Sequence, residues 1–204
     1  QAALEKSESL YAASARIVRA NSVQEVLESL IHSTALSLAN NAMLIRFSEN
    51  WNQVAPNFYR VEALWERSQG RSSIVVGSTF SRSQAGYETF IRRDATTYIL
   101  DTQTDRRLNS TIKSNYKDQG IHSLIIIPLL TGDEWIGLLS VQSSTMLVLT
   151  DADLRRINTL VDQAAIVLDQ IRLRQDMEER LRELLALQRS IARESWASYL
   201  TGQK

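Results

Sequence analysis

The stretch from Ser123 to Gln142, SLIIIPLLTGDEWIGLLSVQ, is apolar on both sides of one short polar break. A β-hairpin with one face in water alternates apolar and polar residues, and this stretch does not alternate. The break, TGDE, contains the glycine and polar residues of a tight turn. We therefore predict a hairpin with two buried faces, which requires cover from other parts of the chain on each side.

Two residues inside this hairpin predict local irregularities. Pro128 has no backbone N–H to give to a ladder, so we expect a bulge or an outward-facing position there. Gly137 lies in the middle of the second strand, where the absence of a side chain allows another group to approach closely.

Glycine and proline are unevenly distributed along the chain. Residues 1–55 and 138–201 contain neither. These residues mark turns, so the distribution predicts two helical arms around a mixed core. Within the core we predict strands and short helices before the hairpin. The predicted strands are 42–48, 58–65, 72–80 and a short edge strand 96–102, and the predicted short helices are 85–95 and one ending at Gly120.

The first arm begins with LEKSESLYAASARIVRA, in which Ala3, Leu10 and Ile17 are spaced by seven residues. This weak heptad fits a helix resting on its own domain as well as a coiled-coil partner. A second helix follows in NSVQEVLESLIHSTALSLA, where Ser22 and Glu25 have the spacing of a capping box. Its apolar stripe predicts packing on the sheet.

The second arm opens with Thr150 and Asp153, an N-cap residue and an acidic residue three positions later. Apolar residues then advance by three or four positions, and the helix runs on for roughly 70 Å at about 1.5 Å per residue. One compact domain cannot bury such a rod, so we predict a parallel homodimer. The predicted dimer and signalling seam contains Leu10, Ile17, Ile157, Val161, Ala164, Leu168, Ile171, Met177, Leu181 and Leu184.

The step from Ile171 to Met177 is six residues, one short of a heptad. Such a phase break locally overwinds a coiled coil. It is either a candidate bistable element for signalling or a tolerated irregularity.

Composition narrows the possible functions. The chain has 23 basic and 23 acidic residues, which disfavours nucleic acid as a partner. It has no cysteine, which excludes disulfides, thiolate metal sites and thioether-linked chromophores. No acid pair, nucleophile-and-base set or metal-ligand spacing is evident, so we expect neither an enzyme nor a metal site. No apolar run approaches the roughly 20 residues that span a bilayer, and we expect a cytoplasmic location without a membrane contact.

Four segments, taken together and in order, resemble the GAF domain, the small-molecule sensing module of phytochromes, cyclic-nucleotide phosphodiesterases and bacterial sensor kinases. The segments are NSVQEVLESLIHSTALSLANNAMLIRFS, YILDTQTDRRLN, DQGIHSLIIIPLLTGDEWIGLLSVQSS and LTDADLRRINTLVDQAAIVLDQIRL. The resemblance implies an α+β fold with an antiparallel sheet of five or six strands. It also implies terminal helices on one face, a ligand pocket under loops on the other, and a long C-terminal coiled-coil helix.

The resemblance also implies a domain organisation. Residues 1–20 correspond to a dimerisation helix, 21–173 to the sensory domain and 174–204 to a signalling extension. Because the chain starts without methionine, we interpret it as a fragment whose output domain, such as a histidine kinase, lies elsewhere in the parent chain. Bilin-binding members of the family attach their chromophore through cysteine, so we expect no covalent bilin and no other cofactor.

Two functional hypotheses remain open from the sequence. In the first, the module binds an unknown small molecule and relays the change through a dimeric exit helix. In the second, it is a ligand-free module for dimerisation and signal relay. The aromatic residues predicted as pocket walls and the polar residues predicted to orient a ligand are Trp65, Phe80, Tyr87, Phe90, Asp101, Asn109, Tyr116 and Ile126.

Overall fold

An antiparallel sheet with strand order β3-β2-β1-β6-β5-β4 forms the centre of the computed structural model. The model describes the backbone of residues 2–51, 53–68 and 74–201, and within these ranges the side chains of residues 8–189. The six strands are β1 (Asn41–Phe47), β2 (Phe58–Glu66), β3 (Thr79–Ser81), β4 (Thr97–Ile99), β5 (Ser123–Thr131) and β6 (Glu134–Ser143).

Five α-helices and two short 3-10 turns accompany the sheet in these ranges. The helices are α1 (Ala2–Val18), α2 (Val23–His32), α3 (Arg82–Ala85), α4 (Ser110–Asp118) and α5 (Asp151–Thr201), and the turns are Ala35–Leu38 and Tyr87–Thr89. The chain divides into two units between Leu168 and Asp169. None of the described helices is long and apolar enough to cross a membrane. The predicted α+β architecture, with six antiparallel strands and a long C-terminal helix, is confirmed.

Side-chain caps start two of the helices where the sequence predicts them. The backbone N–H of Glu25 donates to Ser22 Oγ at 3.2 Å, and Glu25 Oε2 accepts from the N–H of Asn21. At α5, the N–H of Asp153 donates to Thr150 Oγ1 at 3.2 Å, while Asp153 Oδ2 accepts from the Thr150 N–H at 3.0 Å. These reciprocal bonds satisfy N–H groups that have no partner inside a helix.

The predicted strand 72–80 is shorter in the structure, where only β3 forms, and residues 72 and 73 lie outside the described residues. A turn occupies the segment before β3, because the N–H of Ser78 donates to the Val75 carbonyl at 3.0 Å. Gly77 is the third residue of this four-residue turn and has a φ of 91°. A turn with a positive φ at its third residue favours glycine there. The turn therefore replaces the first part of the predicted strand.

The short helix predicted at 85–95 is also displaced. The chain forms α3 earlier, ends it at Gly86 with a φ of 60°, and continues as the 3-10 turn Tyr87–Thr89. A left-handed glycine ends a helix readily, so Gly86 interrupts the pattern that the sequence predicted as one helix. The predicted edge strand and the short helix before Gly120 are confirmed as β4 and α4.

The apolar hairpin forms as β5 and β6, and β1 pairs with the other edge of β6. Gly137 faces Arg46 of β1, and a Cβ atom built on Gly137 would lie 2.3 Å from the Ile45 carbonyl oxygen. The predicted close approach is therefore the backbone of a neighbouring strand. Pro128 lies beyond the ladder with β4, which involves only Leu124–Ile126, and a register shift follows between Leu129 and Leu130.

One face of the sheet, here called the helix face, packs against α2. Four apolar side chains of α2 are fully buried, and the Gln24 amide exchanges hydrogen bonds with the Leu64 backbone at 3.0 and 3.3 Å. In α1, Ala13 and Ile17 are fully buried, and Arg16 donates to Ser33 Oγ at 3.1 Å. The first helix therefore rests on its own domain, which is one of the two alternatives left open by the sequence.

The predicted dimer seam divides into two groups in the structure. Ile17, Ile157, Val161 and Ala164 each have 0% exposure within the single chain, so no surface of these side chains is left for a second chain. This corrects their assignment to an intermolecular seam. Leu10 and Leu168 are partly buried and Ile171 is buried, whereas Met177, Leu181 and Leu184 are exposed. For Met177, Leu181 and Leu184, the assignment to a dimer seam stays a prediction.

Candidate functional site

The face of the sheet opposite α2 is here called the loop face, because short helices and loops cover it. Apolar side chains of five strands point to it, and the cover places Tyr87, Phe90, Ile112 and Tyr116 against them. The sheet residues in this cluster are Met43, Ile45, Phe47, Tyr59, Val61, Ile99, Leu124, Ile126, Trp135 and Leu138. The hairpin thus receives cover on its second face, as the sequence required.

Aromatic rings fill the space between the loop face and its cover. The rings of Tyr59 and Tyr87 meet edge to face with centroids 5.2 Å apart, and Phe90 follows at 6.1 Å from Tyr87. Near the turn of the hairpin, Trp51 stacks on Trp135 at 4.4 Å. These separations are typical of packed aromatic pairs, so this part of the loop face is a core.

Three tyrosine hydroxyl groups lie inside this core. Burial raises the pKa of Tyr87 to about 12. Burial also raises the pKa of Tyr116 and of Tyr59, and for Tyr59 the negative charge of Glu88 adds to the increase. All three side chains are therefore neutral at physiological pH.

Tyr59→Phe is expected to raise the free energy of unfolding by about 1 kcal/mol. Tyr59 is fully buried, and its hydroxyl oxygen has no hydrogen-bond partner among the described residues. A buried polar group without a partner costs about 1–3 kcal/mol, and phenylalanine keeps the ring contacts. Urea unfolding measures the change, with Tyr98→Phe as the control, since the Tyr98 hydroxyl bonds to the loop before α5. A loss of stability in Tyr59→Phe would show that the hydroxyl is satisfied.

A cavity of about 460 Å³, here called the sheet-end cavity, opens where β1 begins and β2 and β6 end. One row of side chains on the loop face forms its floor, because Asn41 pairs with Glu66 on one side and with Gln142 on the other. The remaining described residues that line it are Asn40, Ser68, Ile74, Asp118, Gln119, Gly120, Ile121, Ser143 and Ser144.

The C-terminal end of α4 forms one wall of the sheet-end cavity. The N–H of Ile121 donates to the Tyr116 carbonyl at 2.8 Å and that of Gly120 to the Lys117 carbonyl at 3.0 Å. This is the Schellman pattern, and Gly120 has the positive φ, 68°, that the pattern needs. Ile121 and Tyr116 both belong to the hydrophobic core on the loop face, and this core fixes the position of the wall.

Polar atoms of the floor have unused hydrogen-bonding capacity. Asn41 Oδ1 is buried and has no partner among the described residues. Gln142 is only 6% exposed, and its backbone rather than its side chain takes part in the described hydrogen bonds. Asn40 Oδ1, in contrast, accepts from Ser143 Oγ, the Ser144 N–H and Ser144 Oγ, which holds the end of β6 in place.

The structure separates the residues that the sequence predicted as a pocket. Phe80, Tyr87, Phe90, Tyr116 and Ile126 lie on or against the loop face in the packed core. Trp65 lies on the helix face, where its ring meets His32 at 6.3 Å, so it does not share a space with the other five.

The two polar residues predicted to orient a ligand have local roles in the structure. Asp101 accepts from the Gln103 N–H and from Thr104 Oγ1, which lowers the pKa of its carboxyl group. Asn109 is the N-cap of α4 and accepts from the Ile112 N–H at 2.9 Å. None of the eight predicted residues lines the sheet-end cavity, and their role in ligand binding stays a prediction.

A second groove, of about 370 Å³, lies between α1 and α2 and includes Arg16, Arg19, Glu25, Glu28 and His32 among its residues. Its basic and acidic side chains come from two helices and lie toward solvent. In the described part of the chain, no group of three or more histidine, aspartate or glutamate side chains is arranged to hold a metal ion.

A family comparison accounts for most of the chain. The model of the GAF domain family matches residues 22–168, which include the whole sheet and the first part of α5. No curated protein sequence is significantly similar to this chain.

Solved structures share the fold at low sequence identity. The phycoerythrobilin-bound GAF domain from a cyanobacterial phytochrome is 20% identical, with a TM-score of 0.58 over 83% of this chain and 97% of the other. A domain of a putative two-component sensor histidine kinase protein from Sinorhizobium meliloti 1021 is 16% identical, with a TM-score of 0.55 over 78% and 99%. The PixJ GAF domain of Thermosynechococcus elongatus is 12% identical, with a TM-score of 0.56 over 86% and 95%.

Proposed function

Because the chain belongs to the GAF domain family, we propose that it is a sensory module that binds a small molecule in the sheet-end cavity and relays the binding through α5. The observation that carries this proposal is the row of side chains from three adjacent strands on the floor of a cavity of about 460 Å³. Ligand sites typically have volumes of about 300–1,000 Å³ and a few convergent polar groups.

The connection from the cavity to α5 is short and well bonded. Ser143 and Ser144 line the cavity, and α5 begins at Asp151. Ser123 Oγ donates to the Thr145 carbonyl at 2.8 Å and accepts from the Leu147 N–H at 3.1 Å. A ligand that binds one conformation of this segment more tightly than another would shift the populations of the two conformations. The start of α5 would move with the segment.

The unit after Leu168 supplies the proposed output surface. Leu173, Met177, Leu181 and Leu184 have exposures of 49%, 72%, 58% and 63% in the single chain. Fully burying one such side chain contributes about 1.5–3 kcal/mol, so pairing of this helix with a second copy is favourable. We propose a parallel homodimer that transmits the signal to an output domain of the parent chain, such as a histidine kinase.

A covalent bilin is not part of this proposal. The phytochrome relative holds phycoerythrobilin, whereas this chain has no cysteine for a thioether bond. The aromatic core also occupies much of the loop face. That packing favours a second candidate function, a ligand-free module that dimerises and relays a signal from elsewhere in the parent chain.

A thermal-stability screen against small metabolites, repeated with Gln119→Trp, separates the two functions. A ligand at one hundred times its Kd stabilises the folded state by about 2.7 kcal/mol, which raises the melting temperature. Gln119 is exposed at the wall of the cavity, so tryptophan there obstructs the space without disturbing the core. We expect at least one compound to stabilise the native chain and to bind Gln119→Trp at least tenfold more weakly.

The matched control is Ser114→Trp, which places the same ring on an exposed position of α4 away from the cavity. It is expected to respond like the native chain. A broad panel without a hit would support the ligand-free relay, and a hit that Gln119→Trp does not weaken would place the ligand elsewhere.

A further inference from the structure

We propose that a second copy of the chain pairs with α5 in parallel along one regular heptad seam, which contains Gln170, Leu173, Met177, Arg180, Leu184 and Leu187. The proposal rests on the proposed function, since it specifies the surface through which the homodimer forms. Three observations support it: the burial of side chains within the single chain, the spacing of those left exposed and the charges beside them.

Burial separates Ile171 from the apolar residues that follow it in α5. Ile171 is buried within the single chain, whereas Leu173, Met177, Leu184 and Leu187 are exposed. Leu173 comes two positions after Ile171, which corresponds to about 200° around a helix. An exposed apolar stripe therefore begins at Leu173, on the side of the helix opposite Ile171.

The exposed stripe has the regular spacing of a coiled coil. Its four apolar residues follow one another by four, seven and three positions. Leu173 and Leu187 therefore have position d of a heptad, and Met177 and Leu184 have position a. The six-residue step from Ile171 to Met177 joins a residue buried in the single chain to a residue of this second stripe. The intermolecular seam itself has no phase break between Leu173 and Leu187.

Leu181 is also exposed, but it lies beside the seam, at position e. A frame that placed Leu181 in the seam would replace Leu173 by Arg174 and Leu187 by Gln188. It would gain one apolar residue and lose two. Because coiled coils require apolar residues at a and d, the frame through Leu173 and Leu187 is favoured.

Acidic side chains along one edge of the seam favour the parallel orientation. Asp169, Asp176 and Glu183 all have position g, and Asp169 also pairs with Arg172 of its own helix at 2.8 Å. In an antiparallel pair the g residues of the two helices face one another, so carboxylates would oppose carboxylates. In a parallel pair each g residue faces position e of the other helix. The residues at position e are Arg174, Leu181 and Gln188, and none of them is acidic.

Arg180 places a charged layer in the seam, at position d. Asp176 lies four residues before it and Glu183 three residues after it, so acidic residues of its own helix flank the charge. A polar residue in the seam lowers the affinity of the dimer and specifies its register. Arg180→Leu is therefore expected to tighten the dimer at least tenfold, as measured by sedimentation equilibrium.

Arg182→Leu is the matched control, because it removes the same charge at position f, outside the seam. It breaks only an exposed ion pair with Glu178, which contributes little. Its dimer is expected to have the affinity of the native chain. A dimer that is no tighter in Arg180→Leu than in Arg182→Leu would overturn the proposed seam.

Single cysteines test the phase and the orientation of the seam directly. The chain has no cysteine, so an introduced one is its only thiol. A disulfide needs Cα atoms about 4.4–6.8 Å apart, which facing d residues of a parallel pair satisfy. With oxidised glutathione as the oxidant, Leu173→Cys and Leu187→Cys are expected to form dimers at least tenfold faster than Leu181→Cys and Gln188→Cys. Gln175→Cys, on the opposite side of α5, gives the rate of random encounters.

The outcomes also distinguish this seam from the homodimer of the proposed function. Faster crosslinking of Leu181→Cys and Gln188→Cys would leave the homodimer in place and overturn the seam. Leu173 and Leu187 are roughly 21 Å apart along the helix, so both can crosslink to their own copies only in a parallel pair. Crosslinking at one of them alone would overturn the parallel register. If no variant reacts faster than Gln175→Cys, the seam is wrong, and a native chain that sediments as a monomer would show that the homodimer fails with it.

Discussion

Gly137→Ala is expected to lower the free energy of unfolding by about 3 kcal/mol, the upper part of the usual range for overpacking a core. The added Cβ would lie 2.3 Å from the Ile45 carbonyl oxygen and 3.3 Å from Arg46 Cα. Both neighbours are backbone atoms of β1, so no side-chain rotation relieves the clash. The two central strands have to separate, which disrupts the loop face and the helix face together.

Urea unfolding followed by circular dichroism measures this effect, and Gly132→Ala is the control. Gly132 has a φ of 56°, and a Cβ there meets nothing within 4 Å. Its substitution therefore costs only the strain of a left-handed residue, about 1–2 kcal/mol. If Gly137→Ala were as mild as Gly132→Ala, β1 and β6 could not be as close as the structure has them.

Simultaneous replacement of Met177, Leu181 and Leu184 by serine is expected to weaken the proposed homodimer at least 100-fold. These side chains are exposed in the single chain and follow one another at helical spacing. Each dimer would lose six buried apolar groups, and about 2.7 kcal/mol already corresponds to 100-fold. Sedimentation equilibrium over a range of concentrations measures the dissociation constant of the dimer.

The matched control replaces Gln175, Glu179 and Arg182 by serine at the same spacing, displaced by two positions along α5. Two positions correspond to about 200° around a helix, so this set lies on the opposite side. The control is expected to dimerise like the native chain. A native chain that stays monomeric at high concentration, or a triple variant with unchanged affinity, would contradict the proposed dimer.

The sequence predicted the parts of the fold that depend on local patterns. The unbroken apolar runs around TGDE predicted two buried faces, and Gly137 predicted a close approach in the middle of a strand. Ser22 and Thr150 predicted two helix starts. In each case the signal lies within a few residues of the structure it specifies, so no knowledge of distant contacts was needed.

The residues around the cavity could not be predicted in this way. Asn41, Glu66 and Gln142 are far apart in the chain and meet only because β1 lies between β2 and β6 in a particular register. The polar residues at the ends of these strands were a signal, but a shift of one residue would turn them to the other face. Aromatic residues were a misleading signal, since Tyr87, Phe90 and Tyr116 form the packed core that supports the cavity.

The seam in α5 shows the same limit. The period of Ile157, Val161 and Ala164 predicted a buried stripe but not what buries it. These side chains have no exposure in the single chain, whereas Met177 is 72% exposed. Apolar periodicity alone does not distinguish a helix that packs on its own domain from one that pairs with a second copy.

Amide hydrogen exchange with and without a saturating hit from the metabolite screen tests the central claim, that the sheet-end cavity is the sensory site. Increased protection is expected in the three segments that line this cavity: 40–41, 118–121 and 142–144. Gln119→Trp is expected to abolish this protection. Protection confined to the groove between α1 and α2, or to the exposed part of α5, would contradict the account.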